Sequence, residues 1–163
     1  MHLNYLLKMA FVDMQNVTLA EINNRNKNTM AEYIGIEFTE CGNDYLIARM
    51  PIDHRTVQPL RIVNGGAYCV LAETVGSLAA NLAIDRTKYV AVGLDINANH
   101  VRSAHEGNGY VYGTARPIHL GRTTQVWEIK ITDENGKLNC ISRLTMAVIE
   151  LIKDERGFNP PKI

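Results

Sequence analysis

The chain has 163 residues, 46% hydrophobic and 21% charged, which gives one domain enough apolar material for a core and excludes a disordered chain. Seventeen Lys and Arg balance seventeen Asp and Glu. The surplus of cations that wrapping a nucleic acid requires is therefore missing, and only a local basic pocket for a phosphorylated small molecule stays open.

Residues 1–14 are mildly apolar, but Lys8 and Asp13 interrupt them and no Lys or Arg precedes Leu6. They lack the charged start and small-residue cleavage site of a secretion signal. No run approaches the roughly 20 apolar residues of a membrane span, so no membrane partner is expected. Cys41, Cys69 and Cys140 are too scattered for a disulfide framework and form no CxxC pair. A reduced, cytoplasmic compartment fits that usage. His2, His54, His100, His105 and His119 show no zinc-ligand spacing with one another or with cysteine. Chemistry without a metal or redox cofactor is expected.

Thr18 with Glu21, and Thr29 with Glu32, have the spacing of a capping box. They predict one or two short helices within residues 18–33, parted by an Asn-rich stretch. Alternation over residues 34–40, a Gly/Asn turn and renewed alternation to Met50 predict a β-hairpin. Residues 53–63 contain Pro59 and no period, and read as a loop. Residues 66–84 hold no proline, and Ala67, Leu71, Val75, Leu78 and Leu82, widened by Val70, recur at helical spacing. The remaining positions are mostly small and uncharged, so this helix is expected to be buried nearly all round. Strands are predicted over 89–98, 109–118, 123–132 and 137–151, the last two joined at the Asn135-Gly136 pair. The polar tail from Lys153, with Pro160 and Pro161, is expected to fray. The order describes an α+β fold, a curved antiparallel sheet wrapped round one long central helix. Residues 1–28 are assigned to an N-terminal extension with a short helix, 29–152 to the domain and 153–163 to the tail.

Glu73 is the single charged side chain in the predicted central helix. Burying an unpaired carboxylate is costly, so it must be paired, protonated or open to a ligand. Its own face carries Gly66, Cys69, Gly76, Ser77 and Ala80, all small. That leaves room for a substrate, although the same glycines would also suit close helix packing. Asn64-Gly65-Gly66 opens the helix, where unpaired N–H groups and the positive end of the dipole suit a developing oxyanion. A simple turn would use the same glycines.

Residues 57–77, Val-Gln-Pro-Leu-Arg-Ile-Val-Asn-Gly-Gly-Ala-Tyr-Cys-Val-Leu-Ala-Glu-Thr-Val-Gly-Ser, resemble the signature of the hotdog-fold acyl-CoA thioesterases. The nearest branch contains 1,4-dihydroxy-2-naphthoyl-CoA hydrolase, the enterobactin-pathway proofreading thioesterase and the 4-hydroxybenzoyl-CoA thioesterase with a helix Glu. Residues 93–100, 119–128 and 142–148 resemble further stretches of that branch, and the likeness runs from about residue 30 to 151. It implies that Glu73 is the catalytic carboxylate, as nucleophile or general base. It implies further that the Gly65 N–H donates to the thioester carbonyl, that Gln58 orients the carbonyl or water, and that Ser77 bonds near the carboxylate. Asn64 stands where the branch usually has His, which removes a group that titrates near neutral pH. His100 matches a His implicated in binding the aromatic acyl group in some members, and Arg122, Thr123 and Thr124 open a strand near where the family receives the CoA nucleotide. The resemblance also implies a homodimer or homotetramer with its sites across an interface, and a hydrolase of an aromatic or medium-chain acyl-CoA, with menaquinone biosynthesis as the first pathway to consider. The competing readings are a carrier-protein thioester proofreading hydrolase, a non-catalytic acyl-CoA binder and a dehydratase, the last lacking a His partner for Glu73 in sequence.

Overall fold

The computed structural model describes residues 17–154 and 157–159. The readings of residues 1–14, Pro160 and Pro161 lie outside them. Two short helices, α1 (Leu19–Arg25) and α2 (Met30–Tyr33), lead into a hairpin of β1 (Glu37–Cys41) and β2 (Leu46–Pro51). Thr18 forms the expected capping box, accepting from the Glu21 N–H while its own N–H donates to the Glu21 carboxylate at 2.8 Å. Thr29 does not. Asn28 takes a left-handed backbone (φ 59°), and its N–H reaches Glu32 in place of Thr29's, while the Thr29 hydroxyl donates to the Asn26 carbonyl.

The long helix α3 (Gly65–Leu82) is followed by β3 (Tyr89–His100), β4 (Tyr110–Leu120), β5 (Thr124–Asp133) and β6 (Leu138–Glu150). Six strands form one antiparallel sheet in the order β1-β2-β4-β5-β6-β3. The sheet curves round α3, which packs against five of its strands. Leu71, Val75 and Leu82 of the helix sit fully buried in the same core as Leu46, Trp127 and Leu144. The helix is not buried all round: Val70, Glu73, Thr74, Ser77 and Leu78 are half-buried. A six-stranded sheet covers only part of a helix's circumference, and this face lies toward the edge strand β3.

Between β5 and β6 only Gly136 takes positive φ (73°), and the ladder closes from the Asp133 N–H to the Lys137 carbonyl. The turn is thus longer than the two-residue Asn-Gly hairpin expected, and the Asp133 carboxylate fixes it by accepting from the Asn135 and Lys137 N–H groups. The tail departs from the expectation of fraying, since β7 (Ile152–Asp154) and β8 (Gly157–Asn159) pair as a small antiparallel ribbon.

Both sheet edges carry an asparagine that imitates a neighbouring strand. Asn23 from α1 exchanges two hydrogen bonds with the Phe38 backbone on β1, at 2.8 and 2.9 Å. Asn81 from α3 does the same with Ala91 on β3, both at 2.9 Å, and also donates to the Ser77 carbonyl. Such pairing blocks part of an otherwise open edge and ties helix to strand. Asn81→Ala removes all three bonds at a part-buried site. A loss of about 2 kcal/mol is expected, read as a melting temperature roughly 4–8 °C lower. An unchanged melting curve would show that Asn81 does not hold β3 to the helix.

Candidate active site

One group of the expected residues gathers at the start of α3. Asn64 is its N-cap: the side-chain oxygen accepts from the Gly66 N–H at 2.7 Å, and its carbonyl accepts from Ala67 and Tyr68 at 3.0 and 3.2 Å. Among the described residues this leaves the Gly65 N–H as the donor without a partner in the first turn, at the positive end of the helix dipole. Gly65 lines a cavity of about 370 Å³ together with Gln58, Tyr68, His100 and Arg102.

The Gln58 side-chain oxygen accepts from the Leu60 N–H at 2.8 Å. Its NH₂ group therefore remains as the donor available to the cavity, which suits a carbonyl oxygen better than a water's hydrogens. His100 closes over Gly65, and a Cβ built there would lie 3.0 Å from Nε2. Glycine is what lets the ring approach so closely. Behind His100 lies Tyr68, stacked at 5.5 Å between centroids with the planes 25° apart. Tyr68 is buried, its O–H has no partner among the described residues, and burial pushes the phenol up to about 12.

The second group lies further along the same helix. The Ser77 hydroxyl, one turn after Glu73, donates to Glu73 Oε1 at 3.1 Å. The carboxylate rests on Gly93 of β3, where a Cβ would come within 2.5 Å of Oε1. Gly76, read as part of the small face beside Glu73, instead belongs to the core, since a Cβ there would meet Leu144 and Ile129. Glu73 stands eight residues after Gly65, about 12 Å along the axis at 1.5 Å per residue. Helix N–H groups point toward the N-terminus, so the Gly65 donor faces away from the Glu73 carboxylate of the same chain.

Arg122 and Thr123 are exposed in the turn before β5, and Thr124 begins that strand. The sheet register aligns Gly93 with Met146 and Met146 with Gln125, and Thr124 is one residue further along. These three residues thus lie toward the Glu73 end of the sheet and apart from the Gly65 cavity. Tyr68 and Gly93 escape the sequence reading. The available signals were an aromatic one turn inside the helix and a lone glycine in an alternating strand, where a close approach is common.

Residues 60–140 match the thioesterase superfamily, and the chain belongs to that family. It is a thioester hydrolase by membership. It is 47% identical to the 1,4-dihydroxy-2-naphthoyl-CoA hydrolase of Escherichia coli, over 83% of this chain and 97% of the relative. The solved thioesterase of Pseudomonas aeruginosa, a glutamine-to-alanine mutant, superposes with a TM-score of 0.81 at 45% identity, over 84% of this chain and 97% of the other. A Staphylococcus aureus thioesterase superposes at 0.69 with 34% identity, over 73% and 97%. That protein was solved with a Gln replaced by Ala and, separately, with a Glu replaced by Ala.

Gly93→Ala tests the seat of the carboxylate. The added methyl must displace Glu73 from Ser77, and thioester hydrolysis is expected to fall about 10-fold or more with the melting temperature little changed. Wild-type turnover in this variant would mean that the Gly93 seat plays no part in the reaction.

Proposed function

We propose that this protein hydrolyses an aromatic acyl-CoA thioester, 1,4-dihydroxy-2-naphthoyl-CoA being the first substrate to try, at a site shared by two copies of the chain. The observation that carries this reading is the division of the candidate residues into two halves on one rigid helix. Strand β3 offers the means of joining them, being an edge strand with Leu94 60% exposed. Gly93 and His100 lie symmetrically about the Ile96–Asn97 step. Antiparallel pairing of two β3 strands about that point sets the Glu73 half of one copy opposite the Gly65 half of the other. Asn81 already occupies the edge at Ala91, so the pairing starts beyond it.

In this arrangement the Gly65 N–H and the Gln58 NH₂ donate to the thioester carbonyl and stabilise the oxyanion that forms. Glu73 of the partner subunit, held by the partner's Ser77, works with its other oxygen. As general base it takes a proton from water, the hydroxide adds to the carbonyl carbon, and the tetrahedral adduct expels the CoA thiolate. As nucleophile it adds to the carbonyl carbon and the adduct expels the CoA thiolate, leaving a mixed anhydride that water opens to the free acid and the restored carboxylate. His100 stacked on Tyr68 presents a flat wall suited to an aromatic acyl group. Arg122, Thr123 and Thr124 take the CoA phosphates from the side of the chain that supplies Glu73. In support, the Gln and Glu replaced in the Staphylococcus aureus thioesterase stand fifteen residues apart, as Gln58 and Glu73 do.

Thiol release from a panel of aromatic, medium-chain and carrier-protein thioesters tests the reading. Aromatic CoA esters are expected to give the highest kcat/KM. Glu73→Gln should melt normally and lose about 10²–10⁴-fold in kcat. Sedimentation should return a dimer or tetramer. A monomer, or a Glu73→Gln variant that hydrolyses at the wild-type rate, would overturn it. Tight acyl-CoA binding without turnover would favour the non-catalytic binder.

A further inference from the structure

The turn that carries Gln58 is built in an uncommon way. The Gln58 N–H donates to the Ile62 carbonyl at 2.9 Å and the Arg61 N–H to the Gln58 carbonyl at 2.8 Å, inside the bridge between Val57 and Val63. The last residue of such a hairpin loop adopts a left-handed backbone, which glycine takes without steric cost. Arg61 stands there, at φ 57°.

Its side chain explains the choice. The guanidinium grips Glu106 with two parallel bonds, Nε–H to Oε2 at 2.7 Å and Nη2–H to Oε1. The Glu106 N–H returns a bond to the Arg61 carbonyl at 3.0 Å. The bridge between Ile62 and His105, and the Val63 N–H bond to the Ala104 carbonyl at 2.9 Å, continue this seam. Gln58, Ile62 and Val63 of the first segment line the Gly65 cavity, together with residues 100–103, which lead directly into the second.

Stability does not account for the pair. The Arg61 side chain is 59% exposed and that of Glu106 30%. Solvent screens a pair so exposed, and what its two bonds return is offset by what the left-handed backbone costs an L-residue. What a two-pronged guanidinium–carboxylate contact does supply is fixed geometry.

We infer that Arg61 and Glu106 form a positioning clamp for thioester hydrolysis. The clamp sets the gap between the Gln58 amide and the His100 ring, so that one carbonyl oxygen meets both the Gln58 NH₂ and the Gly65 N–H. Arg61 touches neither substrate nor reacting atoms and acts through Gln58. The inference rests on the reading of this cavity as the carbonyl-binding half of the site.

Steady-state kinetics on Arg61→Gly, Glu106→Gln and the double variant, with Gln58→Ala alongside, test it on the best thioester of the panel. Glycine suits the backbone at position 61, so Arg61→Gly should fold with a melting temperature within a few degrees of wild type. Its kcat is expected to fall about 10-fold or more while KM moves less than about 3-fold. Glu106→Gln should behave alike, the double variant should lose no more than either single one, and Arg61→Lys should recover part of the rate. Wild-type kcat in both single variants, with Gln58→Ala impaired, would overturn the clamp and leave the site reading standing. Unimpaired Gln58→Ala, or a wild type inactive on every thioester, would overturn the site reading and the clamp with it. Losses that follow only the folded fraction would reduce the pair to a structural contact and overturn the inference.

Discussion

Helix α3 advances 1.5 Å per residue, and that rise sets the backbone of Glu73 about 12 Å along the axis from that of Gly65. The helix cannot bend to close the gap, because Leu71, Val75 and Leu82 are locked into the sheet's concave face. Asn81 further ties its far end to the backbone of β3. The donor at one point and the carboxylate at another are therefore rigid features of a single chain. In the proposed arrangement a second copy, paired along the exposed edge of β3, supplies the missing half.

At the N-terminus of α3 the residue before the two glycines serves as a cap. Where the resembling branch usually has histidine, Asn64 spends its side-chain oxygen on the Gly66 N–H. The cap satisfies one orphan donor and leaves the Gly65 N–H as the one facing the cavity. No titrating group stands at that position. The imidazole lining the cavity is that of His100, at the end of β3, stacked on Tyr68. Arg61, at the left-handed position of the preceding turn, is a further departure from the cheapest backbone choice.

Much of this was legible in residues close in sequence. A lone carboxylate in an apolar helical run, an Asn-Gly-Gly helix start and alternating strands led to Glu73, Gly65 and the wrapped sheet. The parts that were not legible depend on long-range packing. The seat of Glu73 on Gly93 requires β3 to lie beside the helix, and the orientation of the Gln58 amide depends on a bond from Leu60 inside a loop that has no period. The half-open face of α3 follows from the number of strands wrapped round it, which the helix's own pattern cannot express. The failed box at Thr29 is subtler, since the spacing is right and the left-handed Asn28 diverts the carboxylate.

A subunit-complementation assay examines the shared site most directly. Glu73→Gln and Gln58→Ala chains, each inactive alone, are denatured, mixed in equal amounts and refolded together, and thiol release is measured on an aromatic CoA ester. If the halves come from different copies, each mixed dimer holds one site with both native residues. Random pairing then restores about a quarter of the wild-type rate. If both residues serve the same chain's site, every site in every dimer is defective and the mixture stays at the sum of the two variants. That outcome would contradict a site built across two copies.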